Sequence, residues 1–438
     1  MSQFQEQEAF TATMAEDSSD AFLNHFAMTK KGNDTIFECW ARYQQAVEDG
    51  HDAVNGTIGA LLDDAGNLAI NKVVDKQIRE SPPIEIAAYA PLKGLPTFLD
   101  LAVTLSLGDA RDELESIGVN TTATASPGGS GALYLAAANF SERGDSILLR
   151  DRHWGPYDGF IAGCGMGIET YPLLGDQKGE NLNLLGLTEK LNTMAKHQSK
   201  VMTWLNDPAH NPTGLSLSDK ERIAVLQAFS DAAMENENVG FTLLIDAAYH
   251  LYAKEPHGWA ESLTDALHDG MLWPDNLLIC FAISVSKSHT IYGLRAGALV
   301  SLHPNQSVVD RITTVMGVTG RQTWSATSRL AQYAVSEIHQ DEQKGAAWSD
   351  ECNNLTKILE TRRNLFIEHC ENLGVPINPT HDGFFAWLET ANPRKIVDKC
   401  AQSHVYLVPL NGGVRIGLCA IPTSDIPRVA QALAESLK

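Results

Sequence analysis

Apolar positions along this chain follow two rhythms. Near the start, Ile36, Phe37, Trp40, Tyr43 and Val47 recur at helical spacing behind Asp34, a suitable N-cap. Further on, the runs at 146–149, 201–205, 241–245 and 277–283 are short and almost wholly apolar, the pattern of strands buried on both faces. Segments 218–236 and 261–270, between them, have helical texture. Such alternation predicts an α/β fold with a largely parallel sheet and helices on both sides. After about residue 325 the texture changes to long helical stretches over 326–372, then short strands near 384–389 and 412–418.

At 438 residues the chain is too long for a single core. The expected division is a large domain over 56–325 and a small C-terminal α/β domain over 326–438, with 1–55 as an arm and helix packing on the latter. Acidic residues outnumber basic ones by 54 to 33, a formal charge of −21 that works against nucleic-acid binding. The seven cysteines show no C-x-x-C pair, and the 14 histidines show no H-E-x-x-H, so neither a disulfide framework nor a metal site is expected. The polar, acidic opening reads as neither signal nor transit peptide, and no apolar run approaches the roughly 20 residues of a membrane span. A soluble cytoplasmic protein that binds no membrane is the expectation.

Polar signals cluster just after the predicted strands, where ligands bind in open α/β sheets. In SVSKSHTIYGLRAG, the strand over 277–283 runs into Ser284, Ser286 and Lys287, with Arg295 eight positions after the lysine. A lysine is usually a solvated surface group. At the mouth of a buried strand beside a cation, its amine would lose its proton more easily and become a Schiff-base former. The two hydroxyls and the guanidinium suit a phosphate. FTLLIDAAYHLY ends a second strand in Asp246, with Tyr249 three residues on; the carboxylate either caps a helix or pairs with a ring nitrogen. WLNDPAHNPTG puts Asn211 in a turn at the same sheet edge. SPGGSGALYLAAANF is a glycine-rich turn opening a helix, a weak anion-site signal that lacks the spacing of dinucleotide folds and P-loops.

Together, and in this order, the four segments resemble the fold-type-I, class I aminotransferases, particularly the aspartate and aromatic amino-acid branch. The resemblance implies a seven-stranded sheet, a homodimer with shared sites, and pyridoxal 5'-phosphate held on Lys287. Gly128, Gly129 and Ser130 match the family's phosphate cradle, with Ser284, Ser286 and Arg295. In RDRHWGPY, Trp154 matches the tryptophan that stacks on the cofactor ring. In YAPLKGLP, Tyr89 matches a tyrosine that reaches the neighbouring subunit's phosphate. Gly59, in NGTIGALLDDAGN, matches a glycine whose N–H meets the substrate carboxylate, and Arg415, in NGGVRIGLCAIP, the arginine that clamps it. Arg321, in TGRQTWSATS, matches the arginine that one subunit lends the other to bind a distal carboxylate. The sequence departs from the family where Tyr157 replaces a frequent histidine, where Thr290 replaces a common glycine, and where the usual Asn-Pro or Pro-Pro after Trp324-Ser325 is absent.

The implied activity moves the amino group of aspartate, an aromatic amino acid, or both, to 2-oxoglutarate in two half-reactions. Arg415 and Asn211 would hold the α-carboxylate, and Lys287 would move the proton. Asp246 would pair with the ring nitrogen, while Tyr249 and Asn211 bond the ring oxygen. A carbon–sulfur β-lyase on the same scaffold would use the same Lys287 and Asp246. A non-catalytic ligand sensor of this fold would carry a basic DNA-binding module ahead of it, whereas the preceding stretch is acidic and short.

Overall fold

The computed structural model describes residues 22–28, 30, 35–175 and 179–438. The Asp34 cap lies outside the described residues, as do the first 21 residues of the expected arm. The helix behind it, α1 (Thr35–Glu48), forms as its periodicity predicts. Arg42 and Glu38 on it pair with Asp398 and Arg394, and Tyr43 meets the Tyr406 ring edge-on. The apolar stripe is only partly covered, because Phe37 and Val47 stay exposed.

The central sheet begins with β1 (Asn120–Ser126), followed by helix α2 (Gly128–Phe140). Then come β2 (Ser146–Arg150), β3 (Gly167–Tyr171) and β4 (Lys200–Asn206). Helix α3 (Asp219–Glu235) leads to β5 (Gly240–Asp246), β6 (Leu277–Ser284) and β7 (Gly297–His303). The spatial order is β1-β7-β6-β5-β4-β2-β3; β7 runs antiparallel to both its neighbours and every other pairing is parallel. This is the mixed α/β, mostly parallel sheet expected. The reading of four apolar runs as strands holds, but it misses three strands.

Those three have physical reasons to be hidden. The β1 segment is threonine-rich and short on large apolar groups. The β3 segment sits at the sheet edge with only its last residue buried. The β7 segment is buried throughout, but follows the lysine turn so closely that its alternation merges with that turn. Among the helices, 218–236 becomes α3, opened by a capping box between Ser218 and Glu221. The helix expected over 261–270 runs over Gly258–His268.

After β7 come α4 (Gln306–Thr323), α5 (Arg329–Gln340) and α6 (Glu342–Leu373). The long helical stretch therefore breaks at Asp341, whose carboxylate accepts the Gln343 and Lys344 N–H groups. A three-stranded antiparallel sheet follows: β8 (Ala386–Glu389), β9 (Val408–Leu410) and β10 (Gly413–Ile416), with β10 in the middle. The predicted strand over 412–418 stops at Ile416 and passes into a 3-10 turn over Leu418–Ala420.

Apolar layers cover the seven-stranded sheet, and a separate core gathers Val54, Phe366, Val397, Val414 and Ile416 around the small sheet. Helix α6 belongs to both, burying Trp348 and Cys352 in the first and Phe366 and Cys370 in the second. Each such buried side chain contributes about 1.5–3 kcal/mol, so the helix ties the two cores firmly.

Candidate active site

The sheet places two polar residues side by side. In the register, Asn206 is opposite Asp246 and Asp246 is opposite Ala282, so the carboxyl ends of β4, β5 and β6 form one edge. The chain leaves β6 through a helical turn, Val285–Ser288, that carries Lys287. Ser284 caps that turn by accepting the Ser286 N–H. A cavity of about 450 Å³ opens over this edge. Gly129, Ser130, Trp154, Asn211, Asp246, Tyr249, Ser284, Ser286, Lys287 and Arg295 all line it.

A hydrogen-bond chain fixes the floor. Asn206 donates to the Asp246 carbonyl at 2.8 Å and accepts the Asn211 N–H at 2.7 Å. The Asn211 amide donates to the Tyr249 hydroxyl at 3.3 Å, leaving its own Oδ1 buried and unmatched. Asp246 accepts the Ala248 N–H on one oxygen and the Tyr157 hydroxyl on the other. Burial raises the Asp246 carboxyl above its usual range, although both hydrogen bonds and the Lys287 charge favour the anion. Lys287 Nζ lies 5.5 Å from the centroid of the Tyr249 ring and 5.6 Å from that of the Tyr292 ring. Burial, then the Arg295 guanidinium, lowers its affinity for a proton below that of an ordinary lysine, against the pull of Asp246.

At the other wall, α2 starts at Gly128 with no side-chain cap, so its first N–H groups point into the cavity region without a local acceptor. Gly128 has φ +72°, and a Cβ there would come within 2.5 Å of Arg295 Nη2. Only glycine allows the guanidinium to lie against this turn. Arg295 donates to Ser286 Oγ at 3.2 Å and to the Pro127 carbonyl at 3.5 Å. Cation, hydroxyls and helix N-terminus thus converge on one spot.

The remaining expected residues sit apart. Arg415, on β10, is buried, donates to the Thr57 carbonyl at 2.6 Å and lies 4.6 Å over the Phe385 ring. Phe385 in turn meets Tyr249 edge-on at 5.8 Å and faces Gly59, where a Cβ would come within 3.1 Å of it. Gly59 and Arg415 therefore join the cavity through Phe385, outside its immediate lining. Tyr89 is 88 % exposed and Arg321 is exposed on α4, donating to Ser325 Oγ. Within one chain neither lines the cavity.

Sequence reading missed Asn206, whose side chain organises the floor. Its only signal was an asparagine at the end of an apolar strand. It also missed Leu133 and Ala248 in the lining and Tyr292 beside the lysine.

A lysine amine with a lowered pKa, a buried carboxylate and an uncapped helix start lie around one cavity. The sequence profile of the aminotransferase class I and II family matches residues 52–433, and the chain belongs to that family. It is an enzyme of amino-group transfer that uses pyridoxal phosphate. It is 26 % identical over 396 residues to the aromatic-amino-acid aminotransferase of Escherichia coli, covering 87 % of this chain and 93 % of that protein. It is 24 % identical to the mitochondrial aspartate aminotransferase of Dictyostelium discoideum, covering 88 % and 87 %. Among solved structures, an aminotransferase from Anaerococcus prevotii superposes with a TM-score of 0.88 at 26 % identity, covering 94 % of this chain and 98 % of that one. A Burkholderia pseudomallei aromatic-amino-acid aminotransferase covalently bound to pyridoxal phosphate has the same fold, at TM-score 0.76 and 21 % identity over 95 % of this chain and 100 % of that one.

The residues present fit that cofactor. The unmatched Asn211 Oδ1, the Gly128–Gly129 turn that a Cβ would fill, and the Ser286–Arg295 pair supply complementary groups for ring and phosphate.

Proposed function

We propose that this aminotransferase takes the amino group of aspartate, of an aromatic amino acid, or of both, passes it to 2-oxoglutarate, and works in the cytoplasm as a homodimer with shared sites. The observation that carries the reading is the meeting of Lys287, Asp246, Asn211 and Tyr249 in one cavity. Pyridoxal phosphate would sit on Lys287, with its phosphate held by Gly128, Gly129, Ser130, Ser284, Ser286 and Arg295. Trp154, Asp246, Tyr249 and Asn211 would hold its ring. When bound, it supplies an electron sink for the charge left as the substrate Cα–H bond breaks.

The chain's own groups do the rest. Lys287 Nζ takes the Cα proton and returns it, and its lowered pKa favours the accepting form. Arg415 holds the α-carboxylate through two parallel hydrogen bonds, with the Gly59 N–H as a further donor. Asp246 holds a proton on the ring nitrogen, and apolar Leu133 and Ala248 in the lining help exclude water.

Support for the dimer comes from Ile84, Ile86, Tyr89 and Leu92, which leave apolar side chains exposed on one short segment. Tyr89 and Arg321 act only if that surface brings them to a second copy's cavity. All seven cysteines are free, in line with a reducing compartment. Among the described residues no helix is long and apolar enough to cross a membrane.

The test is an absorbance spectrum of the purified protein with L-aspartate or L-phenylalanine added separately, then 2-oxoglutarate. Loss of the visible cofactor band with one donor and its return with 2-oxoglutarate is the expected result. A band that neither donor alters would overturn the substrate assignment.

A further inference from the structure

The loop that carries the lysine is fastened at two points to the 57–71 segment, which comes from far away in sequence. The Leu61 N–H donates to the Tyr292 hydroxyl at 3.2 Å, and the Asn71 N–H donates to Thr290 Oγ1 at 2.8 Å. Between them the segment turns back on itself, with the Ala69 N–H donating to the Leu61 carbonyl. Leu61 itself is fully buried, two residues from Gly59. Tyr292 is therefore in a double position. Its hydroxyl fixes the segment bearing Gly59, while its ring lies 5.6 Å from Lys287 Nζ, which also lies 5.5 Å from the Tyr249 ring. Its carbonyl also accepts Arg295 Nη1 at 3.0 Å, so the same residue touches the phosphate-side guanidinium.

We infer that Tyr292 is a positioning residue: its hydroxyl sets the Gly59 segment relative to Lys287, and its ring holds the lysine amine in line with the substrate. The inference rests on the aminotransferase reading of the cavity. Burial holds the phenol well above its ordinary pKa, so the hydroxyl stays neutral and keeps its lone pairs for the Leu61 N–H. The two halves of the residue make separable contributions. The hydroxyl acts on the segment that meets the substrate carboxylate, which is a binding term. The ring acts on the direction of the amine that moves the proton, which is a rate term. Removing an uncharged hydrogen bond of this kind costs roughly threefold to tenfold in an equilibrium.

The experiment compares wild type, Tyr292→Phe and Tyr292→Leu as holoenzymes, using whichever of L-aspartate or L-phenylalanine the wild type converts. In Tyr292→Phe the visible cofactor band should be unchanged and kcat should stay within about twofold, while KM for the donor rises roughly threefold to tenfold. Hydrogen exchange of the peptide spanning 57–64 should quicken in the same variant, because the Leu61 N–H loses its acceptor. Tyr292→Leu should add a fall in kcat of about tenfold or more. Unchanged KM and unchanged exchange in Tyr292→Phe would overturn the role of the hydroxyl. Equal kcat in the two variants would overturn that of the ring. A wild type that keeps its band but converts neither donor would count against the parent reading instead, while the exchange measurement would still decide the contact.

Discussion

The Tyr157 hydroxyl donates to Asp246 Oδ2 across 2.5 Å, beneath the floor of the cavity and sealed from water. The phenol is wedged between the Trp154 and Trp204 rings, which meet it edge-on at 5.6 and 5.1 Å. Burial, then the Asp246 charge, keeps the phenol protonated far above its ordinary pKa, so the donor is present at every working pH.

Replacing Tyr157 by Phe should keep the packing and remove the bond. Hydrogen bonds to charged groups are worth about 1.5–3 kcal/mol, so kcat should fall roughly tenfold to a hundredfold. The sign of the pH effect follows from the same contact. The bond favours ionised Asp246, so its loss raises that carboxyl further, and protonation then removes the anion at higher pH. The acid limb of the kcat profile should move upward in Tyr157→Phe. A variant that keeps both its acid limb and its kcat would mean that Tyr157 acts by packing alone.

Lys287 offers a sharper test. Lys287→Ala should abolish turnover, since no other amine lines the cavity among the described residues. The fold should survive, because the lysine side chain adds little to either core, and some cofactor affinity should remain in the Ser286–Arg295 contacts. Circular dichroism and a cofactor titration would check this. Near-normal turnover in that variant would remove Lys287 from the chemistry.

How much of this could be read from sequence depended on distance along the chain. The central strands declared themselves because 201–205, 241–245 and 277–283 are buried on both faces and nearly all apolar. Edge strand β3 did not, because its pattern is mostly exposed. Asn211, Asp246 and Lys287 were legible because each follows such a strand within a few residues and sits in a recognisable motif. The bond from Tyr157 to Asp246 links positions 89 apart, and that from Leu61 to Tyr292 spans 231. Periodicity reports only local geometry, so the Leu61 contact leaves no local trace. Tyr157 was legible only through the family resemblance, where it takes the place of a histidine that supports the aspartate. Asn206 was hidden differently: an asparagine at a strand end says little until its side chain is seen bonding both Asp246 and Asn211.

The turn that carries Asn211 rests on a buried charge cluster. Arg222, 1 % exposed, pairs with Asp219 and Glu255 at 2.8 Å and with buried Asp207 at 3.5 Å. Asp207 also accepts the Leu217 N–H and Trp259 Nε1, both at 2.8 Å. Arg222→Ala strands the Asp207 charge and should destabilise the fold by about 3–5 kcal/mol in chemical denaturation. Adding Asp207→Asn should recover part of that loss, since a neutral amide needs no counterion. A double variant whose loss equals the sum of the Arg222→Ala and Asp207→Asn losses would show that the two residues are energetically independent.

Arg321 tests the substrate side and the dimer together. In one chain its guanidinium donates to the Ser325 hydroxyl, and it lies on the surface. Its loss should therefore leave stability nearly unchanged, within about 0.5 kcal/mol. If a second copy borrows it to bind a distal carboxylate, Arg321→Ala removes a charge-assisted pair worth about 2 kcal/mol or more, roughly thirtyfold in kcat/KM, for aspartate. Phenylalanine never engages that charge and should lose little. Steady-state kinetics with both donors decides it. A thirtyfold loss for aspartate beside a small one for phenylalanine places Arg321 at the distal carboxylate. Parallel losses for both would place it outside the specificity pocket and leave acidic substrates without an assigned partner.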